Sequence, residues 1–448
     1  MNEILFLIFF VSIVLFSPKI FRDPKWGILL LVIALPFERF PAYTLPFQWG
    51  ITVRLSQVIA LILIASLLYR VIKKKVSFRF SFEAVLLFLY LLAAFLSIFV
   101  AGNLERAILV WLFTAFVVLV SIIIPYFVEK IDYLKKIEKA VFFITLFITL
   151  FGIFQFIAST FGVPDDWIIL RQVYGETTKK VLGFPRVQSF SLEPLYYANF
   201  LLIPFGLFLA KSFKKIDKRI FFILLLITVN FVLTFSRGIY LATIVTVLVA
   251  AVLALKYSTY KKIAKSLSVL FLGVAIGTVM IVFSSYYINK DFSQVEKARK
   301  HATEITDQSI SVSERKDTWE DAITAFRDNP ILGIGIGNFG AWQIGFPKEA
   351  PERGWNIVNN ETLEVLAETG LLGFLSLMGA LFYIFINGIN VFNSSRDEYL
   401  KIWTAGLLIA FIGTVVQYQT FSTLYIMHVW VLVGLLIASQ KIYLKEEV

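Results

Sequence analysis

Eleven apolar stretches dominate this chain, at 52–72, 81–101, 106–128, 140–160, 195–211, 220–236, 238–258, 266–288, 363–393, 402–422 and 425–440. A helix of roughly 20 apolar residues crosses the hydrocarbon core of a bilayer. Backbone in hydrocarbon has to satisfy its own hydrogen bonds, so spans of this kind fold as helices packed on one another. Two shorter runs, 4–16 and 27–37, are separated by Lys19, Arg22 and Lys25. They bring the expected total to about twelve spans, give or take one at the N-terminus. The expected fold is therefore an all-α polytopic membrane protein. Composition agrees: 58% of residues are hydrophobic and 16% charged, with 46 Phe, where soluble domains carry about 25% charged residues. No small-residue cleavage site follows the Met1–Phe16 run; "SPKIFRDPKW" comes next, so the run reads as a retained span rather than a signal peptide.

Basic clusters orient the chain. "KKK" at 73–75, "EKIDYLKKIEK" at 129–139, "KSFKKIDKR" at 211–219, "YKKIAK" at 260–265 and "SSRDEYLK" at 394–401 all fall on one side if spans alternate, and that side is the cytoplasm. The outer side then receives a short loop at 161–194, the Ser236–Gly238 turn and a long segment at 289–361. This divides the chain into transmembrane helices over 1–288, a large, partly helical periplasmic loop over 289–361 and C-terminal transmembrane helices over 362–448. The net charge of +11 follows from the inner loops and does not argue for nucleic acid. With no cysteine, disulfides and thiolate metal sites are excluded, and His301 and His428 alone leave little for an imidazole site. No internal repeat is evident, which weakens an inverted-repeat transporter.

Ionisable groups gather on the outer side. In "SVSERKDTWEDAITAFRDNPILGIGIGNF", Ser311 and Glu314 have capping-box spacing and Pro330 with Gly333 marks an exit, so 314–328 is expected to be helical. Trp319, Ala322, Ile323 and Phe326 form its apolar face, and Arg315 falls on that face in the first turn. A guanidinium there gains little from the helix and much from a bound anion; the alternative is an arginine snorkelling at the interface. In "LTFSRGIYLA", Arg237 sits in a Ser–Arg–Gly turn between two apolar runs, either as an interface anchor or as a functional group at a span mouth. The loop ending "GFPRVQSFSLEPLYYANF" supplies Arg186 and Glu193, and Arg171, Lys179 and Lys180 make it basic on the side where basic loops are disfavoured. In "NIVNNETLEVLAETGLLGF", Asn359 or Asn360 is an N-cap candidate, and Glu361, Glu364 and Glu368 share one helical face. Glu368 is expected on a solvated acidic face.

Taken together, "TFSRG" at 234–238, "SERKDTWEDAITAFRDNPILGIGIGNF" at 313–339 and "NNETLEVLAETGLLGF" at 359–374 resemble the bacterial O-antigen ligase/polymerase superfamily of membrane glycosyltransferases. The resemblance is specific in this C-terminal half; the N-terminal half shares only hydropathy and the late outer loop. It implies transfer of a glycan from an undecaprenyl-diphosphate carrier to a lipid A–core, glycan or protein hydroxyl, at the periplasmic face of the bacterial inner membrane. It further implies an inverting, metal-independent reaction without a cofactor, membrane lipids as surroundings, and lipopolysaccharide biosynthesis as the setting. Arg237 and Arg315 match the family's two essential arginines, and Asn360 matches the Asn of its usual His–Asn pair. The position of the usual His, the acceptor-activating base, is Asn359 here. Asn cannot accept a proton at useful pH. Either Glu361 or Glu193 then supplies the base, or activity is altered or lost.

The chemistry this implies needs few parts. Two guanidinium forks, Arg237 and Arg315, would stabilise a departing diphosphate, with Arg186 auxiliary. One base, Glu361 or Glu193, would take the acceptor proton, and Asn359 and Asn360 would orient the groups. Two rivals belong to other classes: a transporter or lipid-carrier flippase, and a silent partner in polysaccharide assembly. A transporter needs polar groups through the bilayer midplane, where Asn230, Gln155, Gln417 and Gln419 are the few candidates.

Overall fold

The computed structural model describes residues 2–45, 51–76, 81–169, 180–181, 184–290, 292, 295, 310–347, 351 and 354–446. Arg171, Lys179 and His301, and the side chains of Lys180, Ser311 and Glu314, lie outside the described residues. Among the described residues, 11 helices have the length and apolarity to cross a membrane, from Asn2–Arg22 to Met427–Glu446. Lys25–Ala34 and Lys218–Leu233 are shorter helices of the same bundle. The strands described form two short antiparallel ribbons, Ala42–Thr44 with Thr52–Arg54 and Lys180–Val181 with Phe184–Pro185. The chain is thus an all-α polytopic membrane protein. Side-chain caps open several helices: Ser81, Asn103, Asp217, Asn360 and Asp397 each accept from a backbone N–H in the first turn.

Three helices form the centre of the bundle. Pro194–Lys214, Glu398–Gln417 and Met427–Glu446 bury 83%, 72% and 83% of their apolar windows, whereas the other spans bury 50% or less. The first two cross at Gly206 and Gly406. A Cβ on Gly206 would stand 2.5 Å from the Gly406 carbonyl oxygen, so only glycine permits the approach. Buried polar side chains tie neighbouring helices. Asn199 Nδ2 donates to Gln417 Oε1 (2.9 Å), and His428 Nε2 lies 2.7 Å from Asn199 Oδ1. Asn230 accepts from Tyr197 Oη (3.0 Å) and donates to the Thr149 carbonyl (3.1 Å), while Gln155 donates to the Ile168 and Ser189 carbonyls. At one end of the bundle Lys441 and Lys445 pair with Glu129 at 3.3 and 3.0 Å, and Lys211 and Tyr399 both reach Glu138.

The expected boundaries shift in three places. The 129–139 segment, expected as a loop, largely forms the first turns of the helix Ile131–Thr160, because Leu134 and Ile137 are buried on one of its faces. The span expected at 402–422 ends at Gln417; residues 418–426 leave the helix, and the Tyr418 carbonyl accepts from Glu361 N–H (2.8 Å). The helix carrying Arg315 runs over Ile310–Asp328, so Ser311 lies inside it rather than capping it. Its buried side is Ala322 and Ala325 with Trp319 partly covered, while Ile323 faces outward.

The helix Glu361–Ser394 is two segments joined at Gly370, whose φ of 62° and ψ of −165° are open to glycine alone. Against that bend lies "ILGIGIGNF", with Gly333, Gly335 and Gly337 all at positive φ. Glu368 holds this loop: its Oε2 accepts from Gly337 N–H (2.6 Å) and its Oε1 from Phe339 N–H (3.0 Å). Glu368 is therefore buried rather than on a solvated acidic face, because a glycine-rich turn leaves backbone donors that need an acceptor. Replacing Glu368 by Gln keeps the shape but offers one acceptor oxygen and an NH₂ facing an N–H. Thermal unfolding of the purified protein in detergent should show a loss of about 1–3 kcal/mol; an unchanged midpoint would contradict the clamp. Gly206→Val should be destabilising by the same assay, by about 1–3 kcal/mol or more, through overpacking at the crossing.

Candidate functional site

Arg237 opens the helix Arg237–Ala254 directly after the turn at 234–236. Phe235 in that turn has φ 48°, an uncommon conformation for a bulky side chain and a local strain. Gly238 packs flat on Thr420, where a Cβ would meet the hydroxyl at 2.1 Å. The turn is therefore pressed against the 418–426 link. Arg186 buttresses it from the other side: its Nε donates to the Thr234 carbonyl (2.9 Å), and Val187 N–H donates to the Leu233 carbonyl (3.1 Å). Glu193, at the N-cap of Pro194–Lys214, lies within electrostatic reach of Arg186.

Arg315 joins this group from the helix Ile310–Asp328. Burial first, and the neighbouring Arg237 guanidinium second, hold the Arg315 pKa below its ordinary value. Two like charges far apart in the sequence thus share one region. Among the described residues no carboxylate forms an ion pair with Arg315. Burial likewise lowers the pKa of Arg186, with Glu193 acting against it. The helix is fixed one turn further on, where Thr318 Oγ1 donates to the Val358 carbonyl (3.0 Å), next to Asn359.

The Asn359–Glu361 segment docks on the same link. Asn359 adopts φ 58°, the left-handed region that Asn and His tolerate best among non-glycine residues. Its N–H donates to Ser422 Oγ (3.0 Å), and its Nδ2 turns back to the Ile357 carbonyl (3.3 Å). Asn360 Oδ1 accepts from Leu363 N–H (3.1 Å), which makes Asn360 the N-cap, and its Nδ2 reaches the Gln419 carbonyl (3.4 Å). Glu361 Oε2 accepts from Thr423 N–H (2.7 Å). Glu364 Oε2 accepts from Ser422 Oγ (2.6 Å) and Val358 N–H (2.8 Å).

Two neighbouring zones result. Arg186, Glu193, Arg237 and Arg315 make one, around the 234–238 turn. The second is a cavity of about 40 Å³ lined by Glu361, Glu364, Glu368, Arg106, Tyr90 and Thr114 among others; Arg237, Arg315, Asn359 and Glu193 are not in its lining. Asn359, Asn360 and Glu361 stand between the zones through their bonds to residues 418–423. Arg106 was missed by sequence reasoning. It lies at the start of the helix Leu104–Phe127, an arginine at a span mouth like Arg237, and the same criterion applied to "AGNLERAILV" finds it.

Among curated proteins no relative matches this chain. Residues 221–378 match the family model described as O-antigen ligase. The matched segment contains Arg237, Arg315 and the Asn359–Glu361 run, while Arg186, Glu193 and Arg106 fall outside it. This match supports a relation of the 221–378 segment to the O-antigen ligase/polymerase superfamily.

Proposed function

We propose that this protein transfers a glycan from an undecaprenyl-diphosphate carrier to an acceptor hydroxyl at the periplasmic face of the bacterial inner membrane, with the 289–361 segment on that side. The observation that carries the reading is the juxtaposition of Arg237 and Arg315. Two guanidinium groups within electrostatic reach of one another offer paired forks that a diphosphate, with matching charge, can bridge. The acceptor oxygen attacks the anomeric carbon, the carbon–oxygen bond to the diphosphate breaks, and the electron pair leaves with the phosphate. A single displacement inverts the configuration. The arginines stabilise charge that grows on the leaving group, the kind of interaction that accelerates the step rather than merely binding substrate.

The acceptor proton needs a base, which Asn359 cannot be. Glu361 is the better supported of the two carboxylates. It is two residues from Asn359, one oxygen is anchored on Thr423 N–H, and it lines the polar cavity with the other residues named above. Glu193 sits beside Arg186 instead, which suits the donor side. A transporter finds less support: Asn230, Gln155, Gln417 and Gln419 all make hydrogen bonds that join helices, turns or links within the protein.

Three outcomes follow for purified protein given a polyprenyl-diphosphate-linked glycan and an acceptor. Arg237→Lys and Arg315→Lys should each lower transfer by about 10²-fold or more, since Lys offers a point charge in place of a fork; near-normal product would reject the clamp. Glu361→Gln should be inactive, and adding Asn359→His to it should restore part of the activity; rescue failing while Glu193→Gln is inactive would shift the base to Glu193. Inorganic pyrophosphate should raise the unfolding temperature of the wild type by relieving the repulsion, with about 2.7 kcal/mol expected at a hundredfold excess over Kd. The same addition should do little for Arg315→Ala, and an equal shift in both proteins would place the anion elsewhere.

A further inference from the structure

The cavity beside Glu361 has a feature the transfer step alone does not explain. Three carboxylates from one helix, Glu361, Glu364 and Glu368, face a single guanidinium, Arg106, across about 40 Å³. Among the described residues no ion pair joins Arg106 to any of them. Arg106 Nε donates instead to the Gly337 carbonyl, and the guanidinium lies 5.1 Å from the centre of the Trp355 ring. Two hydroxyl residues complete the wall. Tyr90 is 2% exposed and Thr114 1%, both line the cavity, and neither hydroxyl has a hydrogen-bond partner among the described residues. Tyr90 is within electrostatic reach of Glu361 and Glu368.

Hydroxyls without partners at the cavity wall, carboxyl groups and a guanidinium that face one another without an ion pair, and room for about three or four waters at about 10–15 Å³ each suit a hydrated site. Each glutamate anchors one or both oxygens on backbone or hydroxyl donors. Glu368 uses both oxygens in hydrogen bonds, whereas the bonds of Glu361 and Glu364 are made through Oε2. Resting on the transferase reading, we propose that this chamber is the proton outlet of the acceptor site. Glu361 takes the hydroxyl proton as the acceptor oxygen bonds to the anomeric carbon. Water held by Tyr90, Thr114 and Arg106 then carries that proton on to Glu364, which leaves Glu361 a base for the next turnover. The O–H bond of the acceptor breaks as one forms on Glu361; the relay breaks that bond and forms one on Glu364, and bulk water takes the proton from Glu364 before the next turnover. Arg106 acts here as a positioning residue.

The titratable groups facing the chamber are Glu361, Glu364 and Glu368 from one helix, Tyr90 and Arg106 from two others and Tyr425 from the 418–426 link, with Arg54 acting on Tyr425 from farther off. Arg106 acts electrostatically on Glu364 and Glu368, so the pH–rate profile of Arg106→Gln should differ from that of the wild type. Tyr90→Phe and Thr114→Val delete only the hydroxyls. Each should lower kcat by about tenfold or more with the acceptor KM little changed, and should enlarge the solvent deuterium isotope effect on transfer. The assay uses the full chain in detergent with a polyprenyl-diphosphate-linked glycan, and folding is checked by thermal unfolding. Because Arg106 also holds Gly337, a misfolded Arg106→Gln leaves the two hydroxyl variants to decide. Folded hydroxyl variants with wild-type kcat, pH profile and isotope effect would overturn the proton outlet while leaving the transferase intact. A wild type that forms no product would overturn the transferase reading, and the outlet with it.

Discussion

Irregular backbone packed among membrane helices has donors that water cannot reach, and here carboxylates on one helix satisfy them. Glu361 takes Thr423 N–H, Glu364 takes Val358 N–H and Ser422 Oγ, and Glu368 takes Gly337 and Phe339 N–H. Three side chains thereby fix three separate loops. Everything described at this end of the bundle depends on that grip. The 418–426 link receives Gly238 on Thr420, the Asn359 N–H on Ser422 and the Asn360 amide on Gln419, and so it ties the helix of Arg237 to the segment before Glu361. Thr318 on Val358 adds the helix of Arg315.

The site is therefore assembled by contacts between loops, while the rigid part lies beneath it. The Gly206–Gly406 crossing and the Asn199–Gln417 bond lock two central helices, and the link leaves the end of the second of these. Placing the candidate groups near helix starts, tied together by short loops above a close-packed centre, lets the centre hold their geometry. It also concentrates strain, at Phe235 and Asn359, next to the residues with a proposed role.

Much of this was legible in the sequence because hydrocarbon imposes a length and a composition that survive without any tertiary information. The spans, and the arginines at their mouths, follow from that rule. Helix ends did not: the exit at Gln417 depends on a carbonyl from Tyr418 meeting Glu361, a partner distant in sequence. The fate of Glu368 was hidden for the same reason. Helical spacing puts it on a face with Glu361 and Glu364, but nothing local says that "GIGIGNF" folds back to cover that face. Arg106 stands at a span mouth and was open to that rule, but its partners, Gly337 and Trp355, come from the other half of the chain and were not. The resemblance was likewise confined to the C-terminal half, and the matched segment at 221–378 leaves Arg106 and Arg186 outside it.

The central claim is that two guanidinium groups grip one diphosphate. A structure of the full chain with a polyprenyl-diphosphate-linked glycan bound tests it most directly. The account predicts phosphate oxygens within hydrogen-bond distance of both Arg237 and Arg315, with the anomeric carbon on the side of Glu361. Diphosphate density touching only one of the two arginines, or lodged away from both, would contradict it.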